Sequence, residues 1–222
     1  VMKSLVSNKD KIKSGKLTQR EVDKVKGDAI ELMDSLVEYA QRSDLINSSN
    51  LRNDIKVFEF NNNSDSFGNG GGKIISVEVC SSDNQPLSWI VGGEDVILRV
   101  HAIANEYLDS PIVGFYIKDK LGQALFGDNT YITTYMEPCM CDAGDFLTCD
   151  FNFAMPRLPA GNYSITVAFA NGTQEEHTQL HWLHDAIQFK SHSTSVAGGL
   201  VGIPMNHITL EKHKKIKKNE IN

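Results

Sequence analysis

An all-β fold, an immunoglobulin-like antiparallel β-sandwich behind an N-terminal helical lead-in, is what this sequence of 222 residues predicts. Three observations predict it. From Lys73 onward apolar residues recur with a period of two, the mark of strands buried on one face. Turn-forming residues fall between those runs at regular intervals, and no helical periodicity interrupts them. The length suits one β core with an appendage.

The lead-in comes first. Thr18-Gln19-Arg20-Glu21 is a capping box, in which the threonine hydroxyl accepts from the amide three residues on and the glutamate reaches back to the amide of the cap. Behind it Val22, Val25, Ala29, Leu32, Met33, Leu36, Val37 and Ala40 recur at spacings of three and four, so a helix with one apolar stripe is expected to continue to about Leu45. An isolated helix cannot cover such a stripe. The reading is packing on its own chain or on a symmetry mate, with docking to a separate protein as the sharper alternative. The chain opens on Val1-Met2 and runs straight into this charged helical pattern, as an excised fragment would.

Asn61-Asn62-Asn63-Ser64-Asp65-Ser66 and Gly68-Asn69-Gly70-Gly71-Gly72 favour turns over regular structure, which sets the expected boundaries. Residues 1–66 read as helical connector and flexible linker, 67–211 as the sandwich, and 212–222 as a basic disordered tail. The glycine run ends in Lys73 but is no phosphate-binding loop: Phe67 stands where a glycine is needed, and Ile74 replaces the hydroxyl residue that would hold magnesium.

The strands follow in order. Ile75, Val77 and Val79 alternate with polar neighbours, then Val96, Leu98, Val100 and Ala102, then Val113, Phe115 and Ile117. Leu147, Cys149, Phe151 and Phe153 continue the series, followed by Tyr163, Ile165, Val167 and Phe169 and a long last run over 177–190. Gly92-Gly93, Asp109-Ser110-Pro111, Leu121-Gly122, Ala143-Gly144, Pro159-Ala160-Gly161 and Asn171-Gly172 supply the turns.

Composition narrows the function. Acidic residues outnumber basic ones 28 to 22, so no electrostatic case exists for a nucleic-acid partner. No apolar run approaches the roughly 18 residues of a membrane span, and the reading is a soluble, cytoplasmic chain with reduced cysteines. Cys139-Met140-Cys141 has one intervening residue where zinc sites prefer two to four, so no metal or cofactor is expected; Cys80 and Cys149 read as small residues of strands. Neither a Gly-x-Ser-x-Gly turn nor a His-Glu-x-x-His helix is present, and no enzymatic activity is expected of this fragment. Strict alternation places His177 and His181 on one strand face and His184 on the other, so the three cannot share a metal unless a bulge intervenes.

Binding surfaces are better represented. A sugar is amphipathic and needs aromatic rings for its apolar face and planar polar groups for its hydroxyls. Arg99 and His101 lie on the non-core face of their strand, and Tyr116 is expected on the corresponding face of the next strand. Asn129 and Tyr131 fall in a segment mixing polar and aromatic groups, and Trp182 stands beside His184. These seven residues are the candidate carbohydrate site. For Trp182 the competing reading is the core tryptophan of the sandwich, and for Arg99 a structural salt bridge.

Specific stretches carry a family likeness. Phe67-Gly68-Asn69-Gly70 leading into Lys73-Ile74-Ile75-Ser76-Val77-Glu78-Val79, Pro111-Ile112-Val113-Gly114-Phe115-Tyr116-Ile117-Lys118-Asp119, Phe126-Gly127-Asp128-Asn129-Thr130, Leu158-Pro159-Ala160-Gly161-Asn162-Tyr163 and Trp182-Leu183-His184-Asp185-Ala186-Ile187-Gln188-Phe189 resemble the C-terminal domain of Wzt proteins. Wzt is the ATP-binding subunit of the O-antigen polysaccharide ABC transporter. The resemblance implies a sandwich that binds the modified non-reducing terminus of the finished O-antigen polysaccharide in the cytoplasm, at the inner membrane through the transporter complex, and so couples chain completion to export. It also implies a homodimer formed by exchange of the last strand, consistent with Gly198-Gly199-Leu200-Val201-Gly202-Ile203-Pro204 as a hinge before a strand over 205–210. The expected further partners are the ATPase domain and the membrane subunit, through the parent chain. The alternative is an assembly module that dimerises the upstream domain without binding glycan.

Overall fold

The computed structural model describes residues 18–48, 53–192, 199–205, 208 and 210. The basic tail, Gly198 of the expected hinge and much of the strand expected over 205–210 lie outside the described residues. The chain divides into two compact units, Val1–Ser49 with Met205–Asn222, and Asn50–Pro204, which holds every strand found among the described residues.

Helix α1 (Gln19–Asn47) starts where the capping box places it. The Thr18 hydroxyl accepts from the Glu21 amide at 3.4 Å, and the Glu21 carboxylate accepts from the Thr18 amide at 2.9 Å. Along the stripe Val22, Val25, Ala29 and Leu32 are half-buried, whereas Met33, Leu36 and Val37 are exposed.

Among the described residues the sandwich contains ten strands: β1 (Asp54–Val57), β2 (Ser66–Phe67), β3 (Gly72–Cys80), β4 (Trp89–Val91), β5 (Asp95–Ala104), β6 (Pro111–Asp119), β7 (Ala124–Asn129), β8 (Phe146–Ala154), β9 (Gly161–Gly172) and β10 (His177–Ser191). A four-residue helix α2 (Tyr131–Thr134) follows β7. The larger sheet runs β4-β1-β10-β9-β6-β7 with β2 also on β10; the smaller runs β3-β5-β8. All pairings are antiparallel.

The predicted alternation chooses the core. Val77, Leu98 and Val100 of the small sheet share one buried cluster with Ile117, Ile165, Val167, Phe169 and Ile187 of the large one. Fully burying such a side chain contributes about 1.5 to 3 kcal/mol. Tyr163 adds a corner device of immunoglobulin-like folds, its hydroxyl donating to the Pro159 carbonyl at 2.8 Å. Cys80 is buried and Cys149 half-buried, and burial pushes the Cys149 thiol up to about 12.

The expected start at residue 67 is corrected. The large sheet already begins at Asp54, because β1 pairs with both β10 and β4. Asn53, fully buried just before it, donates to the Leu158 carbonyl at 2.9 Å and the Ser191 hydroxyl at 3.2 Å.

Candidate functional site

Register builds the site. Trp182 on β10 pairs with Ala168 on β9, Ala168 with Gly114 on β6, and Gly114 with Asn129 on β7. One cross-strand row thus runs from a large ring over two positions of almost no side chain to an amide. At about 4.8 Å per strand the row spans roughly 14 Å. Inward neighbours Val113, Phe115, Val167 and Leu183 fill the core, so the row faces outward. The small residues leave a hollow of about 300 Å³ between Trp182 and Tyr116 on one side and Asn129 and Gln174 on the other. Gly114 fits closely against the polar wall: a Cβ there would sit 3.0 Å from the Asn129 Cβ and crowd it.

The ring side is a ridge. Phe67, brought in by the short β2 pairing with Trp182, stacks on the indole at 5.8 Å and 18°. Tyr116 and His184 flank the same indole at 6.0 and 6.1 Å, and the Lys118 ammonium lies 5.7 Å over it. Phe67 is 55% and Tyr116 42% exposed, so aromatic surface is open to a ligand. The Trp182 Nε1–H is shielded and has no acceptor among the described residues.

The polar side is braced by the protein. Asn129 donates to the Gln174 side-chain oxygen at 3.1 Å and accepts from the Tyr131 amide at 2.9 Å. Gln179 donates to the Phe169 and His181 carbonyls at 2.8 and 3.0 Å. These bonds fix amide orientation at the rim.

The seven candidates do not form one cluster. Tyr116, Trp182 and Asn129 meet at the hollow, with His184 on the far flank of the indole. Tyr131 lies in α2 with its ring against Tyr135 at 5.6 Å. Arg99 and His101 belong to β5 in the other sheet, so the expectation that they share a face with Tyr116 is corrected: the two positions look out from opposite sides of the sandwich. Arg99 makes two 2.7 Å bonds to Asp150 and a third to Asn84, and this pairing holds the Asp150 carboxyl below its usual range. His101 Nδ1 lies 2.9 Å from the Thr148 hydroxyl.

Trp182 is not a core tryptophan; it stands half-buried on the outer face. Strict alternation is also broken, because β10 shifts register against β9 between Gln179 and His181 and again between Leu183 and Ile187. His177 consequently reaches the outward hollow, while His181 Nδ1 accepts from the Ile74 amide at 3.1 Å. Sequence reasoning missed Phe67, Gln174 and Gln179. The signal that was present is the run of small residues, Gly114, Ala168 and Ala170, at outward strand positions.

The model of the Wzt C-terminal domain family matches residues 63–203. This chain belongs to that family. A crystal structure of the C-terminal domain of wzt matches with a TM-score of 0.56 and 19% identity, covering 68% of this chain and 91% of that one. At that identity the likeness is one of fold. No curated protein sequence matches the chain. Membership of the Wzt C-terminal domain family associates the chain with O-antigen ABC transport and with carbohydrate binding. Among the described residues, no helix is long and apolar enough to cross a membrane.

Proposed function

We propose that this domain binds the modified non-reducing terminus of O-antigen polysaccharide on the outer face of its large sheet. Binding would report chain completion to the ABC transporter on the cytoplasmic side of the inner membrane. The observation that carries this reading is the Trp182-Ala168-Gly114-Asn129 row, which puts an aromatic wall and a polar wall on either side of a floor made of one methyl group and one glycine. A pyranose ring laid against the Trp182 and Tyr116 side buries its apolar face, while Asn129, Gln174 and Gln179 meet its hydroxyls. No bond of the sugar is broken. Each polar contact replaces one to water, so the net gain is about 0.5 to 1.5 kcal/mol per bond and binding per site is weak. We further propose that the domain acts as a dimer formed by exchange of its last strand, so two sites are presented together.

The test is calorimetric titration of the full chain with O-polysaccharide from the source bacterium, with its native terminus and with that terminus removed. Heat is expected only from the first. Trp182→Ala should weaken binding about tenfold or more, the equivalent of about 1.4 kcal/mol. Arg99→Ala, on the opposite face, should leave it unchanged. Equal heats from both polysaccharides, or normal binding by folded Trp182→Ala, would overturn the reading.

A further inference from the structure

The outer face of the large sheet does not end at the aromatic ridge. On the His184 side lies a second hollow of about 620 Å³, bordered by Lys118, Asn162, Ser164, His184, Asp185 and Gln188. Register again explains it, since Lys118 on β6 pairs with Ser164 on β9, and Ser164 with Gln188 on β10. Gly114 and Lys118 are four residues apart on one strand, so the two hollows are centred roughly 13 Å apart. That separation exceeds one pyranose ring. The indole lies between them, with the Lys118 ammonium over it.

The two hollows differ in what their polar groups are doing. In the first, the amides of Asn129 and Gln179 are engaged by the protein. In the second, the side chains of Asn162, Ser164 and Gln188 have no hydrogen-bond partner among the described residues. Their donors and acceptors are free for a ligand.

A second observation is conformational. The β10 bulge between Leu183 and Ile187 holds Asp185 at φ 47°, the left-handed region that favours glycine. Glycine would make the same turn without strain, so what aspartate adds is its carboxylate, exposed at the rim of this hollow. Charge then decides the ligand class. Lys118 and Lys120 are balanced by Asp119 and Asp185, which disfavours a dedicated anion site. Donors and acceptors side by side suit vicinal hydroxyls.

We propose that the second hollow is a subsite for a sugar unit further in along the same glycan, so that the domain reads more than the terminal unit across the Trp182 ridge. The proposal rests on the reading of the first hollow as the terminal-sugar site. The test uses the full chain and mono-, di- and trisaccharide fragments carrying the native non-reducing end of the source O-polysaccharide. Wild type should bind the trisaccharide about tenfold more tightly than the monosaccharide. Asp185→Gly, which relieves backbone strain and should melt no lower than wild type, should lose most of that gain while still binding the monosaccharide. Gln188→Ala, at an exposed position, should do the same. If both variants keep the full length dependence while Trp182→Ala abolishes binding, the second subsite is wrong and the first stands. If the fragments do not bind wild type, or bind Trp182→Ala normally, both readings fall.

Discussion

His181 shows how one side chain can tie this fold to pH. Its Nδ1 accepts the Ile74 amide across the two sheets, so the folded state holds the ring neutral with that nitrogen bare. Burial, aided by the nearby Lys73 charge, lowers its pKa below the ordinary value of 6.5. A histidine depressed in this way binds more protons unfolded than folded, so its contribution to stability is complete above that value and is lost as pH falls below it. Urea melts at pH 7.5 and 5.5 should show lower stability at the acid end, and His181→Gln should flatten the difference. An unchanged pH dependence in that variant would remove His181 as the cause. Asp150 titrates far from this window, because its pairing with Arg99 lowers an already low pKa.

Among the elements, the long strands were legible and the short ones were not. β5, β6 and β9 carry enough alternating residues to declare a face, and the capping box fixes the start of α1. β1 has four residues, β4 three and β2 two, and their strand state is supplied by the pairing partner and not by local pattern. β7 includes Gly127 and Asp128, both poor strand formers, yet pairs along β6 because Gly127 lies so close to the Phe115 carbonyl that a side chain would collide with it. β2 matters most for the proposed site, since it delivers Phe67 to Trp182. Next to it Gly68, at φ 150°, has no room for a Cβ against the Leu180 carbonyl. Gly68→Ala should therefore push β2 off β10, costing about 1 to 3 kcal/mol in thermal stability and weakening glycan binding several-fold. A variant that melts and binds like wild type would show that the Phe67 arm is dispensable.

At the scale of the molecule, alternation told which residues face outward but not which sheet carries them, and this is why Arg99 and Tyr116 were expected together and stand on opposite sides. The same scale exposes an unfinished edge. β8 ends the small sheet, and its inward residues Leu147, Cys149, Phe151 and Phe153 are only half-buried. Beside them a cavity of about 670 Å³, lined largely by apolar groups such as Phe115 and Phe126, opens between the edges of the two sheets. Among the described residues nothing pairs with the outer edge of this nine-residue strand; such an edge is a template for another strand, and natural sheets cover such edges. The Arg157–Gly202 bridge, with bonds of 2.8 and 2.7 Å, brings the chain that leads to Met205 to the end of β8. The proposed exchange would lay the partner's last strand here, pairing the free edge and covering the half-buried rings in one step. Sedimentation of the full chain should then give a dimer, and removal of residues 205–222 should give a folded monomer that retains weak glycan binding. A full-length monomer, or a dimer that survives the truncation, would mean that β8 is closed in some other way.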